Sequence, residues 1–473
     1  MYKSHKLAKS LTHLIESGVW QTHDRLPSLR QQAKTSGFSL MTVLHAYQLL
    51  ESQGLIYSQE KLGYFVAEQK RNNVADKSVH PLKQKVEINS RVFHFLKSLQ
   101  HDQIIPLGSA FPDSQQLYCE KLMQILSKQA KSKSSYEQMP SLPPGNLELR
   151  KLIAQRYAMQ GIPTDPSDIV ITSGGLDALN LSLQAMTQAG DCIVLQETSF
   201  YGAWQAAERL RLKVITIPEH PTEGLDLDAL EHVLQNYPIK VCLFMLNSQN
   251  PIGYTVSDEI KAKLAKLLET YQVYLIEDDV YEELYYGNKK PLSMKYFDQH
   301  HHILHCSSFS KTLGAGFRLG WVHAGKFSEV IQHTQLMSTL SVNSFIQNAL
   351  VDYLSHRHYD RHLKALRQQL EYLKTSYYQY LEQRLSSEFR LHYYPSGYFL
   401  WMTLPSQLCG DIIYQRLRQD GIIIASGSLF YLKEGPQHHL RINCSFEFNA
   451  NIQRALDQLI EVLLDEYQKL EAP

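Results

Sequence analysis

A single lysine, Lys311, sits in the run "SSFSKTLGAGFRLGW", residues 307–321, with Ser308 three places before it, Ser310 one before and Arg318 seven after. Hydroxyls and a guanidinium around one primary amine suit a phosphate dianion held beside a carbonyl carbon. The amine can add to the carbonyl while the donors meet the negative charge. Further polar residues fall where apolar, strand-like runs end. "LIEDDVYEEL" supplies Asp278 and, three residues on, Tyr281, while the adjacent Asp279 reads as an ordinary loop charge. "NSQNPIG" puts Asn250 in a turn, "TSFYG" offers Phe200 or Tyr201 as an aromatic face, and "HHLRINCSF" contains Arg441. "ITSGGLDAL" places Gly174, Gly175 and Leu176 at a strand-to-helix transition, where free amides and the helix dipole favour phosphate.

Pyridoxal 5′-phosphate requires such parts together. Lys311 is the candidate for the Schiff base, Asp278 for the acid facing the ring nitrogen, and Tyr281 with Asn250 for the donors to the phenolic oxygen. Ser308, Ser310, Arg318 and the Gly174–Gly175–Leu176 turn form the candidate phosphate cup. Phe200 or Tyr201 would stack on the ring. Arg441 is the candidate clamp for the carboxylate of an amino-acid-like ligand, with Asn250 beside it. A lone lysine after a strand is ordinarily a solvated surface residue; it is the whole ordered set that points to the cofactor. The 6 cysteines are scattered without metal-ligand spacing and read as small buried hydrophobes in a reducing compartment. None of the 21 histidines is given a catalytic or metal role.

The elements that must position these residues alternate along the chain. "DIVITS", "DCIVLQ", "KVITIP", "KVCLFML", "VYLIEDD" and "HHILHCSSF" are short apolar runs separated by amphipathic helices. That pattern predicts an α/β domain with a parallel sheet buried on both faces, ligands gathering at the strands' C-terminal ends. From about residue 351, "RQQLEYLKTSYYQYLEQRL", "GYFLWMTLP" and the Arg441 run predict a smaller α+β lobe.

The front of the chain has a different texture. "HKLAKSLTHLIESG" sets Leu7, Leu11, Leu14 and Ile15 on one helical face and stops at Gly18. Ser28 and Gln31 have capping-box spacing before a short helix that Gly37 ends. "FSLMTVLHAYQLLESQG" starts on Ser39 and turns Val43, Ala46, Tyr47 and Leu50 inward; "LIYSQEKLGYFVA" alternates like a hairpin around Gly63. This order predicts a winged helix-turn-helix, mostly α with a β-wing, whose third helix enters a major groove. Ser28, Arg30, Ser39, Met41, Thr42, His45 and Gly63 are the candidate DNA contacts. Residues 1–70 carry 8 Lys and Arg against 5 Asp and Glu, although the whole chain balances at 47 against 47.

The chain is therefore expected to be multidomain. The winged helix would span 1–68, a polar linker 69–102, and the large and small lobes about 103–350 and 351–473. Within the linker, Val92, Phe93 and Leu96 have helical spacing. No run approaches the ~20 apolar residues that cross a bilayer, and a cytoplasmic location is expected.

From about Gly108 onward the order S-G-G, N-P-x-G, D-x-x-Y, S-x-S-K-x-x-x-x-G-x-R and R-x-N resembles fold-type I, class I aminotransferases. The front is similar to the GntR winged-helix module, and the two joined resemble the MocR-type regulators. The resemblance implies pyridoxal 5′-phosphate as cofactor and the roles set out above for Lys311, Asp278, Tyr281, Asn250, Ser308, Arg318 and Arg441. It also implies a homodimer, domain-swapped or head-to-tail, a double-stranded DNA operator, and an amino acid, amine or the cofactor itself as effector. The expected function is a transcriptional regulator that senses through its cofactor domain; the alternative is a working aminotransferase with a DNA-binding front. The chain departs from the family pattern at Ala315, where proline is usual, and at Leu40, where arginine is frequent. Extra residues between Tyr136 and Gly145 leave the family's phosphate-reaching tyrosine unassigned.

Overall fold

The computed structural model describes the chain apart from residues 1–2, 17–19, 21–22, 60–62, 68–87, 101–103, 133–140, 221–222, 433–436 and 472–473. Tyr136 and Gly18 lie outside the described residues, as does the Leu14 side chain. Two compact units separate, Met1–Ser78 and Val79–Pro473.

In the first unit, α1 (Lys3–Glu16), α2 (Leu29–Ser36) and α3 (Leu40–Ser52) precede a hairpin of β1 (Ile56–Gln59) and β2 (Gly63–Val66). The helix starts have local causes. Ser28 Oγ accepts the Gln31 amide at 3.3 Å, and Ser39 Oγ accepts the Thr42 amide at 3.2 Å. The expected capping box is present in its serine half; among the described residues no bond returns from the Gln31 side chain. Gly37, at φ +72°, ends α2 with its N–H on the Ala33 carbonyl. Val43, Ala46, Tyr47 and Leu50 are buried, as their period predicts, and meet Leu7, Ala8, Leu11 and Ile15 of α1. The Tyr47 hydroxyl donates to the Pro27 carbonyl at 2.8 Å and ties α3 to the turn before α2. The segment before α2 adds a third edge to the wing. Leu26 N–H reaches the Tyr64 carbonyl at 2.9 Å and Val66 N–H the Asp24 carbonyl at 3.1 Å.

The second unit is built on a seven-stranded sheet. Its strands are β3 (Ile169–Thr172), β4 (Cys192–Gln196), β5 (Lys213–Ile217), β6 (Ile239–Phe244), β7 (Tyr274–Asp278), β8 (Ile303–Ser308) and β9 (Gly320–His323), in the spatial order β3-β9-β8-β7-β6-β4-β5. The expectation of an all-parallel sheet is corrected here. β9, not among the apolar runs read from the sequence as strands, is a buried strand antiparallel to both β3 and β8. Two reversals restore the direction, so β3 ends at the same edge as β7 and β8. Asp278 and Ser308 close their strands there, and Gly174 follows β3.

The small lobe holds an antiparallel sheet of β10 (Arg390–His392), β11 (Phe399–Thr403), β12 (Ala425–Ser426) and β13 (His439–Asn443), in the order β10-β11-β13-β12. It packs with the helices His358–Glu382 and Ala450–Glu471 around Leu400, Ile442, Tyr377 and Leu456. Residues at the start of the expected large lobe bind instead to this sheet: Gly108 N–H donates to the Ile423 carbonyl and Asn443 N–H to the Leu107 carbonyl, both at 2.6 Å. The helix foreseen within the linker spans Ile88–Ser98 (α4) and packs into the second unit through Val92 and Phe95. Phe93, one of the three residues at helical spacing, is 61% exposed, and Phe95 takes the inward face beside Val92.

Gly320 is where the fold has no room. A Cβ there would stand 2.7 Å from the Ser307 carbonyl oxygen and 2.8 Å from the Gly174 carbonyl carbon, both backbone atoms. Gly320→Ala is therefore expected to lower the stability of the second unit by about 1–3 kcal/mol, seen as a lower melting temperature in calorimetry of the full chain. An unchanged transition would show that the β8–β9 contact gives way freely.

Candidate functional site

The strand ends open into a cavity of about 420 Å³ whose wall includes Lys311, Asp278, Tyr281, Asn250, Ser308, Ser310 and Arg318. Gly175, Leu176, Phe200, Tyr201 and Ala315 also line it. Lys311 is in a short 3₁₀ turn, Phe309–Lys311, that Ser308 caps with its Oγ on the Ser310 amide. The turn follows β8 directly, so the lysine emerges at the sheet edge. Its Nζ donates to the Ala110 carbonyl at 2.7 Å and stands 4.8 Å from the Phe111 ring centroid. Asn250 Nδ2 donates to the Tyr281 hydroxyl at 3.2 Å. Phe200 caps the helix Tyr201–Arg209, and the rings of Phe200 and Tyr201 are 4.5 Å apart between centroids. Both reach the cavity, so the choice between them stays open.

Opposite the lysine, Gly174 at φ +96° opens the helix Gly175–Met186. A Cβ on Gly174 would meet the Arg318 guanidinium at 3.0 Å, and one on Gly175 would meet Val280 Cγ1 at 2.6 Å. The two glycines let the helix N-terminus approach Arg318 and Val280, two residues past β7, closely. Arg318 holds the backbone turn itself, with Nη2 on the Ser173 carbonyl at 2.8 Å. A helix N-terminus, a guanidinium and two hydroxyls thus converge as an anion cup.

Burial sets the electrostatics. It pushes the Lys311 amine down to about 7; the nearby Arg441 and Arg318 charges add to this and Asp278 opposes it. Burial raises the Asp278 carboxyl to about 7, with the Val280 amide and Lys311 working the other way. Asp278 Oδ1 and Ser310 Oγ are buried with no hydrogen-bond partner among the described residues. A ligand with a cationic N–H against the first and a phosphate oxygen against the second would satisfy both. Pyridoxal 5′-phosphate has both groups, so these residues fit it.

Arg441 and Gly174 do not form part of the cavity wall. Arg441, wholly buried on β13, gives Nη1 to Asn250 Oδ1 at 2.7 Å and Nη2 to the Gly108 carbonyl at 2.6 Å. It lies between Phe399 and Phe430, 4.4 and 4.9 Å from their centroids. Its Nε has no hydrogen-bond partner among the described residues. The bonds to Asn250 and Gly108 engage two of the five guanidinium N–H donors, which leaves donors for a ligand carboxylate.

Asp279 is no loop charge, which corrects the reading from sequence. It is fully buried; its Oδ2 accepts from Asn247 Nδ2 at 2.9 Å and pairs with His305 Nε2 at 3.1 Å. His305 in turn meets the Tyr157 hydroxyl at 2.6 Å. Burial alone would push the imidazole down, but Asp279 and Glu277 outweigh it and hold its pKa above the ordinary value. Alternate residues of a strand face opposite sides of a sheet. Asp278 therefore faces the cavity while Glu277 and Asp279 serve this network behind it. Sequence reasoning also missed Phe111, Ala110 and Leu96 in the cavity wall, and Tyr398, whose hydroxyl donates to the Ala110 carbonyl at 2.9 Å. Residues 108–113 carry no periodic signal; only their hydrogen bonds to the small lobe bring them here.

In the first unit, Ser28, Arg30, Ser39, Met41 and His45 are exposed at and just after the starts of α2 and α3, while Thr42 is half-buried, with its hydroxyl 2.8 Å from Ser39 Oγ. Leu40 and Met41 are 46% and 59% exposed at the first turn of α3. Gly63, at φ +109°, begins β2.

Residues 3–66 match the bacterial regulatory proteins of the gntR family, and residues 102–459 match aminotransferase class I and II. The HTH-type transcriptional regulator YdcR of Escherichia coli (strain K12) is 48% identical over 97% of this chain and 98% of its own. The HTH-type transcriptional regulator YjiR of the same organism is 30% identical over 98% and 99%. Among solved structures, a multiple substrate aminotransferase from Thermococcus profundus superposes with a TM-score of 0.74 at 23% identity, over 80% of this chain and 96% of that one, a likeness of fold. Among the described residues no helix is long and apolar enough to cross a membrane. A GntR-type helix-turn-helix followed by an aminotransferase-like sheet, matched end to end by regulators of the same build, places this chain among the HTH-type transcriptional regulators with an aminotransferase class I and II domain, the MocR type.

Proposed function

We propose that the cavity of the second unit binds pyridoxal 5′-phosphate through Lys311 and that its occupancy sets the affinity of the first unit for an operator. The observation that carries this reading is the pairing of a depressed lysine with a partnerless buried carboxylate oxygen across one cavity. Lys311 would hold the aldehyde carbon and Asp278 the ring nitrogen. Tyr281 and Asn250 would hold the phenolic oxygen, and Ser308, Ser310, Arg318 and the Gly174–Leu176 turn the phosphate. Bound there, the cofactor supplies an electron-withdrawing ring and an aldehyde that captures primary amines. The residues supply the rest. Asp278, reprotonated with difficulty once a cation faces it, keeps that cation in place. Lys311, pushed down to about 7 and so partly neutral near pH 7, can accept or return a proton at Nζ. Arg441 with Asn250 would orient a carboxylate, and the fused regulator would act as a homodimer.

Regulation through such a site needs only that the ligand favour one arrangement of the chain over another, by about 1–3 kcal/mol in known couplings. A working aminotransferase is the second reading, favoured by the depressed Lys311 amine. Sustained turnover of an amino acid with 2-oxoglutarate at ~1–10³ s⁻¹ would establish it, whereas a single slow round would leave the sensor.

Lys311→Ala is expected to abolish both the visible absorbance that the wild type gains on adding pyridoxal 5′-phosphate and the borohydride-fixed label. A label that persists on another residue refutes the assignment. In the wild type the initial rate of this gain should follow the neutral amine. It should be slow below about pH 7, where Nζ is protonated, and level off above it. A midpoint near the ordinary lysine value of ~10.4 would contradict the buried setting.

On DNA, Arg30→Ala is expected to weaken binding alike for all sequences and to reduce the slope of log affinity against log salt by about 1. Met41→Ala should instead relax preference at one base pair, since an exposed apolar side chain suits a thymine methyl. Titrations of an upstream duplex at several salt concentrations separate the two, and an unaltered slope for Arg30→Ala would remove it from the phosphate contacts.

A further inference from the structure

Leu96 is a wall residue of the cavity, and it belongs to α4. This is the helix that the chain enters after residues 68–87, the covalent connection from the winged helix. One element therefore touches the ligand space at one end and continues into that connection at the other. α4 is also held from both lobes. From the small lobe, the Ser428 carbonyl accepts from Arg91 Nη1 at 2.7 Å, and the Tyr414 hydroxyl reaches Ser98 Oγ at 3.4 Å. The Ser428 turn is itself fixed by its hydroxyl on Asp411 Oδ1 at 2.6 Å. On the large-lobe side, Val92 and Phe95 share a core with Tyr201 and Trp204 of the helix that begins at the cavity's aromatic pair.

We propose that α4 is the transmission element of this regulator: filling of the cavity is read at Leu96 and at the two lobes that grip α4, and is passed along the helix to the connection with the DNA-binding unit. The inference rests on the reading of the cavity as a cofactor site and adds how that site would be coupled. The physical basis is stiffness. A helix of 11 residues moves as a rod, because bending it would break its internal hydrogen bonds. A half-buried leucine facing a ligand must either pack on it or yield to it. A shift of the Ser428 turn pulls on Arg91 through a charge-assisted bond. Both inputs act on the same rod, so occupancy biases its position and the place where the connection leaves it.

The test uses the full chain as wild type, Arg91→Ala and Leu96→Ala, with pyridoxal 5′-phosphate as the probe and a duplex from upstream of its gene. Loading is read by absorbance after borohydride reduction, α4 by amide hydrogen exchange over 88–98, and coupling by the ratio of duplex affinities with and without the probe. In the wild type, loading should change α4 exchange and shift the duplex affinity by about fivefold or more. Arg91→Ala, which lies outside the cavity wall, should load normally yet bring the ratio to within about twofold of one. Leu96→Ala, with its loaded state taken only as reduced protein and its unloaded state measured without the probe, should do the same. If both variants load and keep the wild-type ratio, the transmission role is refuted and the cofactor reading survives. If α4 exchange in the wild type is indifferent to loading, transmission through this helix is refuted. A wild type that gains no absorbance at all overturns the cofactor reading itself, and the inference falls with it. Should Leu96→Ala fail to fold, Arg91→Ala and the exchange measurement decide.

Discussion

An ε-amine and a carboxyl held out of water at neighbouring strand ends are expensive to keep, and much of the second unit exists to keep them. Among the described residues neither Lys311 nor Asp278 has a full ionic partner; burial moves each toward its neutral form, both to about 7. In water the same groups would differ by more than six orders of magnitude in acidity, on their usual values of ~3.9 and ~10.4. The cavity brings them close to parity. A polar ligand that supplies a cation to one and an electrophilic carbon to the other relieves both penalties at once. The seven-stranded sheet, the aromatic wall and the network around Asp279 all serve that desolvated pair.

The support is layered by strand periodicity. On β7 and just beyond it, Glu277, Asp278 and Asp279 alternate across the sheet, one toward the cavity and two into the buried assembly with His305 and Asn247. The assembly fixes the strand end from behind through hydrogen bonds that a solvated loop could not hold rigidly. On the cavity side the small lobe contributes by carbonyls as well as by side chains. The Ala110 carbonyl receives both Lys311 Nζ and the Tyr398 hydroxyl, and Gly108 receives Arg441. Residues 105–110 therefore tie the small lobe to the lysine through backbone carbonyls.

The same contacts explain why an aminotransferase architecture suits a sensor. An enzyme of this build gathers its site from two lobes so that ligand binding draws them together. A regulator can use that motion with no need for turnover, provided a stiff element carries it outward. α4, gripped by both lobes and open to the cavity at Leu96, has those properties.

What the linear chain determined by itself is the inventory and the local order. Serine caps at 28 and 39, the inward face of α3, the apolar strand runs and the ordered Lys311, Asp278, Tyr281 and Asn250 motifs depend on contacts within a few residues or on a fixed period. They are therefore legible without coordinates. The two-part organisation followed from the change of texture between the front and the rest. Tertiary structure alone decided that β9 runs antiparallel between β3 and β8, since four residues carry no direction. It also decided that Asp279 is buried beside Asp278, that Arg441 is committed to Asn250 and Gly108, and that Phe111 and Leu96 complete the cavity wall. Each of these depends on partners tens to hundreds of residues away, whose approach is set by the packing of whole elements. No local pattern encodes which distant carbonyl will face a given side chain.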